Sequence, residues 1–113
     1  MRQLSAPAAL ALAAAHADDA LPVVYLDVRE PWEIAIAAVS APGARLVCMP
    51  MSEIPALLAE LDPAQPVVCI CHHGARSAQV VAFLERSGFE SVYNLAGGID
   101  AWSRDVDPSV VRY

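Results

Sequence analysis

The residues best suited to chemistry are Cys71 and Arg76, which are separated by four residues. The cysteine ends an apolar run, and Gly74 lies between it and the start of a helical pattern. A tight loop that leads into a helix directs several backbone N–H groups at one point, and the helix dipole adds to the attraction for an anion. Such a site stabilises a thiolate, and Arg76 can hydrogen-bond loop carbonyls or an anionic substrate. The spacing therefore predicts a nucleophilic sulfur at Cys71 that faces an anion.

Two other interpretations of this loop compete with a nucleophile. His72 and His73 could form a zinc site with Cys69 and Cys71, but adjacent residues in a tight loop seldom point to one centre, and no second ligand pair has suitable spacing. We expect no metal, with one histidine lining the pocket and the other supporting the loop or meeting solvent. Cys71 could also be a buried thiol that merely ends a strand, which the glycine, the arginine and the following helix disfavour.

Three charged residues near the end of an earlier strand are candidates for structural support of the site. Asp27 could act as a general base, but an ionised thiolate hardly needs one, so we predict a buried hydrogen-bonding role. Arg29 and Glu33 could pair with each other and shape the pocket rim, or form a solvated ion pair. We expect these residues to position the site rather than to react.

The other two cysteines are expected to be structural. Cys69 lies two residues before Cys71, so both side chains point to the same face of a strand. A resolving thiol is conceivable there, but a packed core thiol is the favoured interpretation. Cys48 is predicted to be in the core.

Strand and helix patterns alternate along the chain. The strand patterns cover 21–28, 45–49, 67–71 and 91–95, and the helix patterns cover an Ala-rich stretch after Ser5 and residues 31–39, 52–61, 75–87 and 97–102. Alternation of this kind predicts an α/β fold, with a mostly parallel sheet that carries helices on both faces. In such sheets the site lies at the carboxyl ends of the strands. Cys71 lies at the carboxyl end of the third predicted strand, where the loop begins.

Four segments resemble the rhodanese family of sulfurtransferases. They are C71-H72-H73-G74-A75-R76-S77, D27-V28-R29-E30-P31-W32-E33, P42-G43-A44 with M49-P50, and G88-F89-E90-S91-V92-Y93-N94-L95-A96-G97-G98-I99-D100-A101-W102. The resemblance implies one rhodanese-like domain over residues 4–113, a three-layer fold around a sheet of four to five strands. One departure is A37-A38-V39-S40-A41, where the family often has Gly-His.

The resemblance also implies a mechanism. Cys71 would attack the outer sulfur of thiosulfate or a persulfide donor, release sulfite in the thiosulfate case, and hold a persulfide for cyanide, a thiol or a protein thiol. The residues implied to bind substrate are His72, His73, Gly74, Ala75, Arg76 and Ser77. No metal or organic cofactor is required. The alternatives are a persulfide carrier or docking module with little turnover, and a cysteine phosphatase or arsenate reductase-type enzyme, whose loop has five intervening residues.

The composition and net charge of the chain limit the classes of partner and the compartment that we expect. The 113 residues are 57% hydrophobic and 18% charged, with a formal net charge of −6. An acidic chain gains nothing by counterion release, so we expect neither nucleic acid nor an anionic membrane as partner. Three cysteines make a poor disulfide framework, which favours a reducing, cytoplasmic setting. The Ala-rich start could be a cleaved signal, but Ser5 as N-cap and Pro7 in the first turn favour a helix.

Overall fold

The alternation of strands and helices produces a five-stranded parallel sheet in the computed structural model, which describes residues 1–113. The strands are β1 (Arg2–Leu4), β2 (Val24–Asp27), β3 (Arg45–Cys48), β4 (Val67–Ile70) and β5 (Val92–Leu95). The helices are α1 (Ala6–Ala15), α2 (Pro31–Ile36), α3 (Ile54–Leu57), α4 (Ala75–Arg86) and α5 (Gly98–Asp105). The predicted α/β fold class is confirmed.

Each face of the sheet packs its own apolar core. Helices α3 and α4 cover one face through Ile54, Val80, Val81 and Leu84, while α1 and α5 cover the other through Ala6, Ala9, Ala13, Ile99 and Trp102. The central strands β2 and β4 are buried throughout, as expected of parallel strands covered on both sides. The result is three layers, helices–sheet–helices.

The strand order places a crevice at the carboxyl ends of β2 and β4. The order is β1-β5-β4-β2-β3, so the chain runs outward from β2 to β3 on one side and from β4 to β5 on the other. Strands β2 and β4 are neighbours, with Asp27 opposite Ile70. Ligands of open parallel sheets bind where the strand order reverses in this way. The residues that follow β2 and β4 are therefore brought together at the position where a site is expected.

The Ala-rich start forms a helix, as its capping pattern predicted. The Ser5 hydroxyl accepts a hydrogen bond from the Ala8 N–H at 3.2 Å, and Pro7 lies in the first turn, where no N–H is needed. The small alanine side chains let α1 lie close to the sheet, and the Tyr25 hydroxyl donates to the Ala9 carbonyl at 2.6 Å. None of the helices combines the length and the apolarity needed to cross a bilayer.

Three local predictions were incomplete or wrong. Strand β1 was not predicted; it has three residues and extends the sheet by pairing with β5. The predicted helix over 52–61 is a single α-helical turn between two 3-10 turns, Met51–Glu53 and Leu58–Glu60. Cys48 is exposed rather than buried, since β3 is the edge strand.

Candidate active site

The sulfur of Cys71 lies in a short loop between β4 and α4. Its Sγ accepts a hydrogen bond from the Gly74 N–H at 3.0 Å, and the Ser77 hydroxyl lies 3.2 Å away. Gly74 is the N-cap of α4 at φ +109°, a conformation that glycine adopts at no steric cost. The chain can therefore turn back over the sulfur. Cys71 is only 1% exposed, so the thiol lies in an almost dry environment at a helix N-terminus.

A hydrogen-bonded group of side chains holds this loop from below. The Asn94 amide donates to the Gly74 carbonyl at 3.1 Å and to the Gln3 side chain at 3.2 Å, which connects the loop to β5 and β1. The Ser77 hydroxyl contacts both the Cys71 sulfur and the Asn94 side-chain oxygen. A hydroxyl has a single proton, so it serves one of these acceptors at a time.

The N-terminus of α5 fixes the other side of the loop. The Ile99 N–H donates to the Cys71 carbonyl at 2.9 Å, and the Asp100 N–H donates to the His72 carbonyl at 3.2 Å. A Cβ atom on Gly98 would lie 2.4 Å from both carbonyl oxygens, so only glycine permits this approach. Because C=O and N–H point in opposite directions across a trans peptide, the N–H groups of the next residues point away from α5.

Arg76 and Glu33 form a bidentate ion pair beside the loop. The two Arg76 Nη atoms lie 2.6 Å and 2.8 Å from the Glu33 carboxylate oxygens. Glu33 also accepts from the Glu30 N–H at 3.1 Å and from the Tyr113 hydroxyl at 2.8 Å. Hydrogen bonding to Arg76, followed by that to Tyr113 and Glu30, outweighs burial and lowers the pKa of Glu33 to about 2. The same pairing raises the pKa of Arg76.

Behind this pair lies a second, fully buried ion pair. Arg29 donates from Nε and Nη2 to the two oxygens of Asp27, at 2.9 Å and 2.7 Å, and also to the Ala37 carbonyl at 2.8 Å. Burial alone would lower the pKa of Arg29, but hydrogen bonds to Asp27 and Tyr113 outweigh it and raise the pKa. The predicted pairing of Arg29 with the Glu33 carboxylate is wrong, because Arg29 is directed into the fold and takes the carboxylate that ends β2.

The two histidines occupy different environments. His72 is half-buried, and its ring stacks between His73, at 4.0 Å, and Tyr113, at 3.9 Å. His73 is exposed. The Nε2 of His72 is buried without a hydrogen-bond partner. No group of three or more histidine, cysteine, aspartate or glutamate side chains is arranged to hold a metal ion.

The fold and the loop agree with the comparison to protein families. A family model for the rhodanese-like domain matches residues 9–105. The chain belongs to the rhodanese-like family. Sulfur transfer is the class of reaction that this membership supports. Rhodanese domains take a sulfur donor and a sulfur acceptor.

Individual rhodanese-like relatives agree with this assignment. The chain is 41% identical over 88 residues to a sulfurtransferase of Allochromatium vinosum, covering 78% of each protein. It is 42% identical over 92 residues to the chloroplastic rhodanese-like/PpiC domain-containing protein 12 of Arabidopsis thaliana, covering 78% of this chain but 29% of that protein. The crystal structure of a rhodanese-related protein from Thermoplasma volcanium matches over all of both chains, with a TM-score of 0.79 at 28% identity.

Within this rhodanese-like fold, seven of the ten predicted site residues form three groups, while Asp27 and Arg29 form the buried pair behind them and His72 stacks on Tyr113. Cys71, Gly74 and Ser77 meet at the sulfur. Arg76 and Glu33 form the adjacent ion pair. His73 and Ala75 are exposed on the outside of the loop.

Three contributors to the site were missed by sequence reasoning. Asn94 could have been recognised in the sequence, because a polar residue in an otherwise apolar strand indicates that its side chain has a hydrogen-bond partner. The adjacent pair Gly97-Gly98 likewise signalled a close backbone approach. Tyr113 gave no local signal, since its position depends on the path of residues 106–113, which form no helix or strand.

Proposed function

We propose that this protein moves sulfane sulfur from a small anionic donor, thiosulfate or a persulfide, to a thiophilic acceptor through a persulfide on Cys71. The observation that carries the proposal is the position of the Cys71 sulfur, which lies at the N-terminus of α4 within hydrogen-bond distance of the Gly74 N–H and the Ser77 hydroxyl. Both donors favour a negatively charged sulfur over a neutral one. The same donors would favour a persulfide anion that extends from this position.

The reaction has two halves that share one covalent intermediate. In the first, the Cys71 thiolate attacks the outer sulfur of thiosulfate; an S–S bond forms, the S–S bond of thiosulfate breaks, and its electron pair leaves with sulfite. In the second, cyanide or a thiolate attacks the terminal sulfur, and the electron pair of the breaking bond returns to the Cys71 sulfur. No oxidant or proton donor is needed in either displacement. Because sulfite leaves before the acceptor attacks the covalent intermediate, ping-pong kinetics follow.

Arg76 is the cation best placed to bind the anionic sulfur donor, although its guanidinium is also paired with Glu33. Both Nη atoms of Arg76 pair with Glu33, whereas its Nε–H has no hydrogen-bond partner, and the side chain is 34% exposed. We infer that Glu33 fixes the plane of the guanidinium and that sulfonate oxygens of the donor approach its remaining N–H groups. The guanidinium of an arginine is planar and its N–H groups are fixed, so it binds a small oxyanion better than a mobile lysine ammonium would.

Steady-state kinetics with thiosulfate and cyanide test the proposal. We expect thiocyanate formation with parallel lines in a double-reciprocal plot, and loss of activity in Cys71→Ser with an unchanged fold. Cys48→Ser is the matched control, because that thiol is exposed at the edge of the sheet and should be dispensable. Full activity in Cys71→Ser would overturn the proposal, and activity on an aryl phosphate would instead favour a phosphatase.

A second candidate is a persulfide carrier that passes sulfur to a protein thiol and turns over slowly with cyanide. One observation favours it: the chain spans 29% of the Arabidopsis relative, which contains a further type of domain. A persulfide that is stable in isolation, reacts slowly with cyanide and is lost to a protein acceptor would select the carrier. Rapid thiocyanate turnover would select the enzyme.

We also propose a reducing compartment, the cytoplasm, as the setting of this chemistry. All three cysteines are free thiols in the structure, and a persulfide intermediate requires that Cys71 stay unoxidised. Fractionation of cells that produce the protein tests this assignment; recovery in an oxidising compartment would contradict it.

A further inference from the structure

We propose that Tyr113 is a specificity-determining residue whose ring closes one side of the entrance to Cys71 and excludes bulky acceptors. The acceptor chemistry in this inference rests on the proposed function, but the closure itself can be tested without any sulfur transfer. The inference starts from the burial of the nucleophile. Cys71 is only 1% exposed, so even a small substrate needs the surroundings of the sulfur to open.

Residues 106–113 return from the end of α5 to the active-site loop. The Ser103 hydroxyl donates to the Val110 carbonyl at 2.5 Å, which holds the middle of the segment against the helix. Further along, Arg112 makes a bidentate ion pair with Asp100 at 2.9 Å and 3.1 Å. Both anchors lie on α5, whose N-terminus is the part that binds the carbonyls of the Cys71 loop.

The two contacts with α5 position Tyr113 at the rim of the site. Its ring stacks on His72 with centroids 3.9 Å apart and planes 7° from parallel, directly beside the nucleophile in sequence. Its hydroxyl accepts from Arg29 at 2.8 Å and donates to Glu33 at 2.8 Å. Tyr113 therefore bridges the loop that follows β4 and the groups that follow β2, which are the two sides of the crevice.

We infer that the closure is reversible, because few contacts hold residues 111–113. Val111 and Arg112 are exposed, and the Arg112–Asp100 ion pair is at the surface, so residues 111–113 can lift while Val106 and Val110 stay packed against the core. A closed state and a lifted state then differ by one aromatic stack, two hydrogen bonds, an exposed ion pair and the packing of Tyr113 against the core. Small nucleophiles would reach the sulfur through minor fluctuations of the closed state, whereas bulky ones would need the lifted state.

Alkylation of Cys71 measures this closure directly. Iodoacetamide serves as the small probe and a pyrene maleimide as the bulky one, in a Cys48→Ser background, with the modified cysteine located by peptide mass spectrometry. Tyr113→Ala should raise the ratio of bulky to small alkylation rates by about two- to tenfold or more, the factor expected for loss of one aromatic stack. Tyr113→Phe keeps the ring and should give a smaller increase.

Two arginine variants extend the test: Arg112→Ala weakens the attachment of residues 106–113, and Arg104→Ala is its matched control. Arg112→Ala removes an anchor of the segment and should raise the same ratio, by less than Tyr113→Ala does. Arg104 also makes a bidentate exposed ion pair, with its neighbour Asp105, but forms no hydrogen bond with the segment. Arg104→Ala should therefore leave the ratio unchanged. An unchanged ratio in Tyr113→Ala overturns the inference, and if that variant fails to fold, an unchanged ratio in Arg112→Ala does so.

Sulfur transfer provides the second measurement. In Tyr113→Ala, kcat/KM for a bulky aryl thiol divided by kcat/KM for cyanide should rise by a similar two- to tenfold factor. A purely structural role would lower both values together. If wild-type protein transfers no sulfur but the alkylation ratios change as expected, the proposed function fails and the closure stands; the reverse pattern rejects the closure alone.

Discussion

Replacement of Glu33 by glutamine tests the ion pair beside the active-site loop. The carboxylate is nearly buried and is held by Arg76, by the Tyr113 hydroxyl and by the Glu30 N–H. These contacts lower its pKa from 4.5 to about 2, which at about 1.4 kcal/mol per pH unit corresponds to roughly 3 kcal/mol of folding free energy. Arg76 is 34% exposed, and water screens part of the interaction, so we expect about 2 kcal/mol.

The sign of the pH dependence follows from the lowered pKa of Glu33. Because the folded state binds this proton less readily than the unfolded state, the stabilisation is complete above about pH 5 and is lost as the pH falls towards 2. Glu33→Gln cannot ionise, so it lacks the stabilisation at every pH. The stability difference between wild type and variant should therefore be greatest at neutral pH and should shrink towards zero in acid.

Urea unfolding from pH 7 to pH 2, followed by the fluorescence of the buried Trp102, measures this difference. Glu60→Gln is the control, because Glu60 is exposed and has no ion-pair partner. It should match wild type throughout. A Glu33→Gln deficit that stays constant between pH 5 and pH 2, or is absent at neutral pH, would refute the assignment of the stabilisation to an ionised Glu33.

Three further substitutions probe the supports of the site. Asp27→Asn leaves Arg29 as a buried, uncompensated charge and should lower the free energy of unfolding by about 3–5 kcal/mol, measured by urea denaturation; a loss below about 1 kcal/mol would contradict it. Gly98→Ala places a Cβ 2.4 Å from the Cys71 carbonyl oxygen and should abolish sulfur loading in a mass-spectrometric assay, whereas Gly88→Ala, at a turn with open space, should not. Ser77→Ala should slow persulfide formation by about ten- to hundredfold in rapid-mixing experiments, the factor for one lost hydrogen bond to a charged group; an unchanged rate would exclude its role.

The fold was predictable because its signals are local and agree with one another. Strand β4 is a short apolar run, α4 begins after Gly74, and Gly88 at φ +94° ends it as a helix C-terminal glycine should. Alternation of such elements leaves few topologies for a parallel sheet. Strand β1 could not be predicted, because three residues show no periodicity and the position of the strand depends on pairing with β5, about 90 residues away.

The site was predictable only where one segment contains all the participants. Cys71, Gly74 and Ser77 belong to a single loop and helix start, so their meeting follows from sequence spacing. The partner of Arg76 could not be inferred in this way, because Glu33 comes from α2 and is oriented by capping and by distant contacts. The pairing of Arg29 was misassigned because Asp27, two residues away and fully buried, takes the guanidinium that was expected to pair with Glu33.

The most direct test of the central claim is the intact mass of the protein after treatment with thiosulfate. We predict that wild-type protein gains the mass of one sulfur atom, that cyanide removes it, and that Cys48→Ser behaves identically. Cys71→Ser should gain nothing. A sulfur adduct that persists in Cys71→Ser, or a wild-type protein that acquires no sulfur from thiosulfate or any persulfide donor, would contradict the account.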